Sequence, residues 1–572
     1  MLVVAFNPGH DGAIAAIRDG SLVLCLEAEK DSFERYSVLN PSSVLHVAEQ
    51  LGELPDVVAL GGWDTDLSRQ LEAAADLAKV SRARLTWGPG GNGNAREPAS
   101  LPGLVGAGYL GSEAFSGRRT TFFGKSVQYF SSSHERSHIL AAIGMAPADD
   151  CPLQAVLVWE GLFGAFYLVD DSMRIVRTIP VLIGPGVRFG FLFGLCDPSY
   201  PVEGDLIRLA DSGKLMALAA FGDPYDSDPD VAHVVDELLR IDALFPFPKA
   251  SFSASPVFNC GVRSELAVAA AAVLTRRIFE VFAEVALHEI PAGIPLRISG
   301  GCGLNCDWNA AWRDLGHFSS VFVPPCPNDS GSAIGTAIDA HAAATGSPHI
   351  DWDVYAGLEF DHDVEPDPSR WHFQPLDHGR LAKAIADGQV VAWAQGRWEV
   401  GPRALGNRSL LAEPFGEATR DRLNDIKGRE PYRPIAPCAR VEDLGAAFDD
   451  DFEDPHMLYF RHVRDRRLAA VTHVDGSARV QTVSASTNPS QHALLSAFAQ
   501  HTGVGVLCNT SLNFSGRGFI NRTSHLIDFC DRRGVDCFVV GDRWYSRRDG
   551  EGPATIKQPV GRMSGEPSLD GS

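Results

Sequence analysis

The chain has 572 residues, 45% of them hydrophobic and 21% charged, the proportions of a folded soluble protein with material for roughly three or four domain equivalents. Its formal net charge of −22 argues against a nucleic-acid binder, because counterion release on a phosphate backbone needs a basic surface. No apolar run reaches the ~18–20 residues of a membrane span, the start lacks a basic cleavable leader, and the eleven cysteines form no C-x-x-C pair, so a reduced cytoplasmic protein without zinc ribbons or disulfides is expected.

The opening reads as three strands, LVVAF, AIAAIRDG and SLVLCLEAE, separated by Gly-containing turns, which is hairpin chemistry. SSSHERSHIL (131–140) then places His134 and His138 four residues apart, on one helical face and close enough to share an ion. The string also matches H-E-x-x-H, which keeps a zinc endopeptidase with Glu135 as general base in play. An ordinary pair of exposed helix residues is the plain alternative.

Strand signals return at QAVLVWEG (154–161), AFYLVDD (165–171), PLRISGG (295–301) and VFVPP (321–325). Between them DSGKLMALAAFG (211–222) sets Lys214 at a Gly-Lys step, where it either neutralises phosphate or is merely solvated. The stretch 264–290 is apolar on most faces and predicts a buried helix. ISGGCGLN (298–305), with Gly300, Gly301 and Asn305, is a glycine-rich turn that would admit a nucleotide near the backbone, though it fits neither common nucleotide fingerprint. In PPCPNDSGSAIGTA (324–337), Asp329 stands where a helix begins. It either caps that helix or completes a two-histidine, one-carboxylate site suited to Fe(II) and other divalent ions.

A Pro-, Asp- and Gly-rich stretch at 345–373 reads as a domain connection. A helix (GRLAKAIADG), a strand (QVVAWAQG) and the strand-like GVGVLCNTSLN follow, and the Gly/Pro/Ser-rich end after Arg548 reads as disordered. The densest constellation lies in this second unit, in GRWEVGPRALGNRSLLAEP (396–414) and LNDIKGREPYRPIAP (423–437). Arg403, Arg408, Lys427, Arg429 and Arg433 gather there among loop-shaping Gly and Pro, and guanidinium forks suit phosphate oxygens. Arg479, Asn509 and Ser511 add further oxygen-binding groups.

The strings EVGPRALGNRSLL, IKGREPYRPIAP, ARVQTV and LCNTSLN closely resemble the signatures of the NodU/CmcH-type O-carbamoyltransferases, and the likeness runs from NPGHDGAIAA to about residue 548. It implies an α/β protein whose residues 1–345 form an actin/Hsp70-like ATPase-type domain of two ribonuclease-H-like halves, related to threonylcarbamoyl transferases. Residues 346–375 would be a linker, 376–548 a YrdC-like domain, and 549–572 a disordered tail.

By the same resemblance, carbamoyl phosphate and ATP (with Mg) give a carbamoyl adenylate that carbamoylates a hydroxylated natural product. Carbamoyl phosphate would meet Arg403, Lys427, Arg433, Arg479, Asn509 and Ser511, and the nucleotide Lys214, Gly300, Gly301 and Asn305. A metal, iron by family expectation, would meet His134, His138 and Asp329. His10 and Asp11 match an early H-D pair near the acceptor hydroxyl, where a histidine suits a general base. A homodimer is carried as an expectation.

Two departures stand out. Where the family shows Asp-Gly after the histidine helix, this chain has Glu160-Gly161, and the usual basic run is replaced by DSFERYSVLNP (31–41). Those lost charges, with the Phe-rich RFGFLFG (188–194) and LFPFP (244–248), suggest an apolar acceptor such as an ansamycin macrolactam. A tRNA-threonylcarbamoyl or hydrogenase-maturation enzyme, the endopeptidase, and a non-catalytic nucleotide sensor remain as alternatives.

Overall fold

A computed structural model describes residues 1–32, 34–61, 119–202, 208–241 and 248–548. The tail and most of LFPFP therefore lie outside the described residues.

The first three apolar runs fold as β1 (Leu2–Asn7), β2 (Ala13–Arg18) and β3 (Ser21–Glu27), an antiparallel meander. They are buried on both faces, which explains why they read as near-continuous hydrophobic stretches rather than alternating ones. Then β4 (Val57–Leu60) pairs parallel to β1, followed by β6 (Lys125–Ser131) and, at the edge, β5 (Arg119–Phe122). The same plan recurs further on. An antiparallel meander of β7 (Leu153–Trp159), β8 (Phe163–Asp170) and β9 (Ile175–Ile183) is extended by β10 (Leu296–Ser299) parallel to β7, then by β11 (Val321–Phe322). Two halves with the strand order three-two-one-four are the duplicated ribonuclease-H-like arrangement of actin-type ATPases.

Between the two sheets lie the helices His134–Gly144 and Asp329–Thr345, sharing one core with both sheets. Their approach is very close: a side chain at Gly335 would stand 1.7 Å from the Ser137 carbonyl oxygen. Polar ties fix their register. Arg136 donates to both Asp339 oxygens (3.1 and 3.2 Å), Ser132 Oγ donates to Asp339 at 2.7 Å, and Ser137 and Thr336 hydroxyls meet at 2.8 Å. All four contacts are buried, so each is stronger than its counterpart in water. The apolar stretch foreseen at 264–290 is the helix Glu265–Glu289, packed with Trp159, Trp308 and Trp312.

The C-terminal unit is one mixed eight-stranded sheet. It comprises β12 (Trp371–Pro375), β13 (Val391–Ala394), β14 (Arg408–Ala412), β15 (Ala436–Arg440), β18 (Gln481–Val483), β19 (Val506–Ser511), β20 (Cys537–Val540) and β21 (Arg543–Arg547), in the order β12-β21-β20-β13-β14-β19-β15-β18. A separate ribbon pairs β16 (Phe460–His462) with β17 (Ser477–Arg479). The connection is no free tether. Asp351 and Ala356 carbonyls accept from Leu22 and Cys25 in the first sheet, while Val354 and Leu358 carbonyls accept from Val400 and Trp398. The last residues of 346–375 already form β12.

At the seam, Lys30 is buried and donates to the Glu27 carboxylate and to the Glu399 (2.6 Å) and Gly401 (2.7 Å) carbonyls. Across the same seam Arg397 reaches the Val23 carbonyl at 2.7 Å. The eleven cysteines are all free thiols, and no described helix is long and apolar enough to cross a membrane.

Candidate active site

Because the two central helices start at the same level, their first turns converge. His134 and His138 face Asp329 and also Glu160, which extends from the end of β7, and the four ligand-capable atoms lie within 4.8 Å of one another. Glu160 bridges the imidazoles, with Oε2 at 2.8 Å from His134 Nε2 and Oε1 at 2.5 Å from His138 Nε2. Asp329 Oδ1 lies 3.4 Å from His138 and 3.9 Å from His134.

His138 Nε2 and Glu160 Oε1 are fully buried, yet neither makes a hydrogen bond of acceptable geometry. Two inward-facing atoms of this kind suit a cation between them, and Ser299 Oγ, 3.0 Å from His138 Nδ1, fixes the far side of the ring. Two imidazoles and two carboxylates fit a divalent first-row ion. Without one, burial opposes charging the imidazoles, but Glu160 and Asp329 prevail and lift His134 to about 9 and His138 to about 10. Burial likewise works against the Glu160 carboxylate, and the two histidines outweigh it, holding its pKa well below the ordinary range.

His10 and Asp11 sit on the turn between β1 and β2. His10 Nδ1 is 3.0 Å from Asp11 Oδ2, and its Nε2 is 3.4 Å from Asp329 Oδ2. The bond to Asp11 raises the His10 pKa. The early pair is thus a neighbour of the four-residue cluster.

The arginines arrive from the C-terminal unit. The GPRALGN loop is shaped around buried Glu399, whose Oε1 accepts from the backbone N–H groups of Leu405 (2.6 Å), Asn407 (3.3 Å) and Arg408 (3.3 Å). Arg403, Arg429, Arg433 and Arg479 line one cavity with Asn509 and Ser511. Burial and then Arg479 pull the Arg403 pKa down to about 9, and burial and then Arg433 do the same for Arg429. Cations placed so close together are costly unless they have a task, and binding an anion is the obvious one. Arg403 Nε, Arg479 Nε and Asn509 Oδ1 are buried and make no hydrogen bond among the described residues.

Three expected residues stand elsewhere. Lys427 does not line the cavity; it is buried behind it, donating to the Ser511 and Asn513 carbonyls, to Asn513 Oδ1 and to Ser511 Oγ at 3.3 Å. Burial, then Arg429 and Arg433, push its pKa well down. Arg408 is structural: it donates to the Gln395, Gly396 and Asn407 carbonyls and to Asn521. Lys214 points away from the cavity toward Asp211 (3.2 Å) and Glu430 (3.8 Å), so two acids already answer its charge.

Of the glycine turn, Gly301 and Asn305 line the cavity but Gly300 does not. Gly300 has φ 97°, and a Cβ there would stand 2.3 Å from the Trp159 carbonyl oxygen. Asn305 Oδ1 caps the next helix through Asp307 and Trp308 N–H. Asp307, which the sequence reading passed over, also lines the cavity, and burial plus Asp475 push its pKa up to about 7.

Cluster, His10–Asp11 pair and arginines open into a single cavity of about 1090 Å³ between the two units. A family model described as carbamoyltransferase N-terminus matches residues 4–338, and one described as carbamoyltransferase C-terminus matches 382–547. The chain belongs to the carbamoyltransferase family.

A 3'-hydroxymethylcephem-O-carbamoyltransferase of Streptomyces clavuligerus is 60% identical to it over 96% of this chain and 99% of the relative. The enzyme of that name from Amycolatopsis lactamdurans is 59% identical over 96% and 100%. Nodulation protein U of Rhizobium tropici is 33% identical over 91% and 92%. Full-length HypF, solved with phosphate and nucleotide bound, aligns over 61% of this carbamoyltransferase and 56% of its own chain at 12% identity and TM-score 0.28, too loose a match to add to the topology.

Membership removes the endopeptidase: in this carbamoyltransferase H-E-R-S-H carries two members of a four-residue cluster. The ansamycin expectation finds no support among these relatives. Its structural basis also fails, because RFGFLFG lies in the core helix Pro185–Cys196, where only Phe189 of the three phenylalanines reaches the cavity.

Proposed function

We propose that this carbamoyltransferase makes a carbamate ester on the hydroxymethyl group of a 3'-hydroxymethylcephem, at the expense of carbamoyl phosphate and ATP. The single observation that carries the reading is that one cavity is lined by the arginine set, by Gly301 and Asn305, by His134, Glu160 and Asp329 of the cluster, and by the His10–Asp11 pair. The reaction that uses them all breaks the acyl-phosphate bond of carbamoyl phosphate with water, releasing phosphate and carbamate. A carbamate oxygen then attacks the α-phosphorus of ATP and expels pyrophosphate. Finally the acceptor hydroxyl attacks the carbamoyl carbon, and AMP leaves.

Arg403, Arg429, Arg433 and Arg479 hold carbamoyl phosphate and stabilise charge on the departing phosphate. Asn509 and Ser511 face the same anion, with Lys427 bracing the strand end beneath them. Gly301 and Asn305 lie along the nucleotide. His10, oriented by Asp11, takes the proton from the acceptor hydroxyl. His134, His138, Glu160 and Asp329 would hold a divalent ion, for which Fe(II) is our choice; when bound it neutralises phosphate oxygens as a Lewis acid.

The test is mass spectrometry of the protein with carbamoyl phosphate, ATP and a 3'-hydroxymethylcephem. A product heavier by one carbamoyl group, formed with stoichiometric pyrophosphate and absent when either co-substrate is omitted, is expected. Acceptor turnover without ATP overturns the adenylate route.

A further inference from the structure

Two residues of the stretch singled out at 31–41, Arg35 and Tyr36, line the cavity. Tyr36 holds a left-handed backbone (φ 59°), a conformation that is strained for a non-glycine residue and so needs support. Support comes from the turn that bears the base pair. Asp11 N–H donates to the Tyr36 carbonyl (3.4 Å) and Gly12 N–H to the Ser37 carbonyl (2.9 Å). The two turns touch so closely that a Cβ on Gly12 would stand 2.6 Å from Leu39 N.

Strain there presents two side chains to the cavity beside His10. The Arg35 guanidinium lies over the Tyr36 ring at 5.0 Å, with Nη2 3.4 Å from the phenol oxygen and Nε 3.1 Å from Glu29 Oε2. Arg35 and Tyr36 both line the cavity.

We propose that Arg35, buttressed by Glu29 and Tyr36, binds a carboxylate on the acceptor and thereby selects it. This rests on the acceptor reading above. A cephem carries a carboxylate on the ring carbon next to the one bearing the hydroxymethyl group. A cation on the turn bonded to His10–Asp11 holds that carboxylate while the neighbouring hydroxyl faces the base. Charge is compatible with the assignment: Glu29 offsets part of the Arg35 charge, leaving enough for a monoanion, while Arg429 and Arg433, close enough to feel Arg35, serve the more highly charged phosphates. Tyr36 supplies a flat apolar face for the ring system.

The experiment compares a 3'-hydroxymethylcephem as free acid and as methyl ester in wild type, Arg35→Gln and Arg35→Lys, with carbamoyl phosphate and ATP saturating. Wild type prefers the acid, and the acid-to-ester ratio of kcat/KM falls about 10–100-fold in Arg35→Gln, the span of one charge-assisted bond. Arg35→Lys recovers part of the ratio, and an unchanged thermal midpoint shows that the variants fold. An unchanged ratio, or a rise in KM for carbamoyl phosphate larger than that for the acceptor, overturns the proposal and assigns Arg35 to phosphate. A wild-type enzyme that carbamoylates neither acid nor ester overturns the acceptor reading itself, and this one with it.

Discussion

Lys30 is the residue whose removal tests most directly how the two units form one site. Its ammonium is 1% exposed and the Glu27 carboxylate 2%, and the donors of Lys30 are shared among Glu27 and the Glu399 and Gly401 carbonyls. Glu27 in turn accepts from Gly401 N–H at 3.1 Å. Burial pushes the Glu27 pKa up, an effect that Lys30 only partly offsets. The pair therefore contributes little net stability against an apolar replacement of both members, while loss of one member is severe.

Lys30→Met leaves a buried carboxylate with one partner and two carbonyls without their donor. Breaking a buried pair in this way costs about 3–5 kcal/mol. For a chain this long that lowers the thermal midpoint by several degrees, about 1–2 °C per kcal/mol by extrapolation from smaller domains.

The effect reaches chemistry because Gly401 stands two residues before Arg403. A loosened loop misplaces that guanidinium, and the KM for carbamoyl phosphate rises along with the fall in midpoint. In Lys30→Met/Glu27→Gln the buried charge is gone, and at least half of the lost stability returns. The assay is differential scanning fluorimetry beside steady-state kinetics. A single variant that costs under about 1 kcal/mol, or a double variant no better than the single, would refute the reasoning.

His138→Ala and Glu160→Ala should lose bound metal and carbamoyl transfer together, whereas Glu135→Ala keeps both, as metal analysis by mass spectrometry will show. Arg429→Ala should raise the KM for carbamoyl phosphate about 10–100-fold, the loss of one charge-assisted contact, with little change in midpoint. Arg408→Ala instead orphans three carbonyls, and its first sign is a lower midpoint or insoluble protein. For Asp307 the pKa is raised on folding, so the folded state holds its proton longer than the unfolded chain. Stability is then full below about pH 4 and falls as pH rises to about 7, where the loss is complete. Asp307→Asn removes that slope, and the variant's advantage in urea titrations without ligand grows from pH 4 to 7 and then levels; a constant difference across that range would refute the shift.

Local chemistry made much of the fold readable. Apolar runs punctuated by Gly turns marked β1, β2 and β3 almost to the residue, and the apolar stretch around 264–290 marked its helix. What stayed hidden depended on which side of an element faces the cavity. Lys427 and Arg429 are two residues apart in one motif, yet the first braces Ser511 from behind and the second lines the wall. Arg408 looked like its neighbours in composition, but it sits on a strand buried on both faces, where a guanidinium must bond to backbone. The Lys214 pairing was legible in principle, since Asp211 precedes it by three residues on the same helix.

Glu160 shows why the remaining part was not legible. In sequence it registers only as the acid that follows an apolar strand, and its side-chain length gives no hint of whether it reaches the histidines. That depends on β7 ending level with the first turn of the His134–Gly144 helix, which in turn depends on how closely that helix packs against Asp329–Thr345. The packing is set by Gly335 and by the Arg136–Asp339 and Ser137–Thr336 ties, none of which belongs to the cluster. With the helices drawn together, the Glu160 side chain spans both imidazoles. The four-residue cluster is therefore a property of a helix pair, and if it holds metal as proposed, substitutions at Gly335 that part the helices should weaken metal binding as surely as loss of a histidine does.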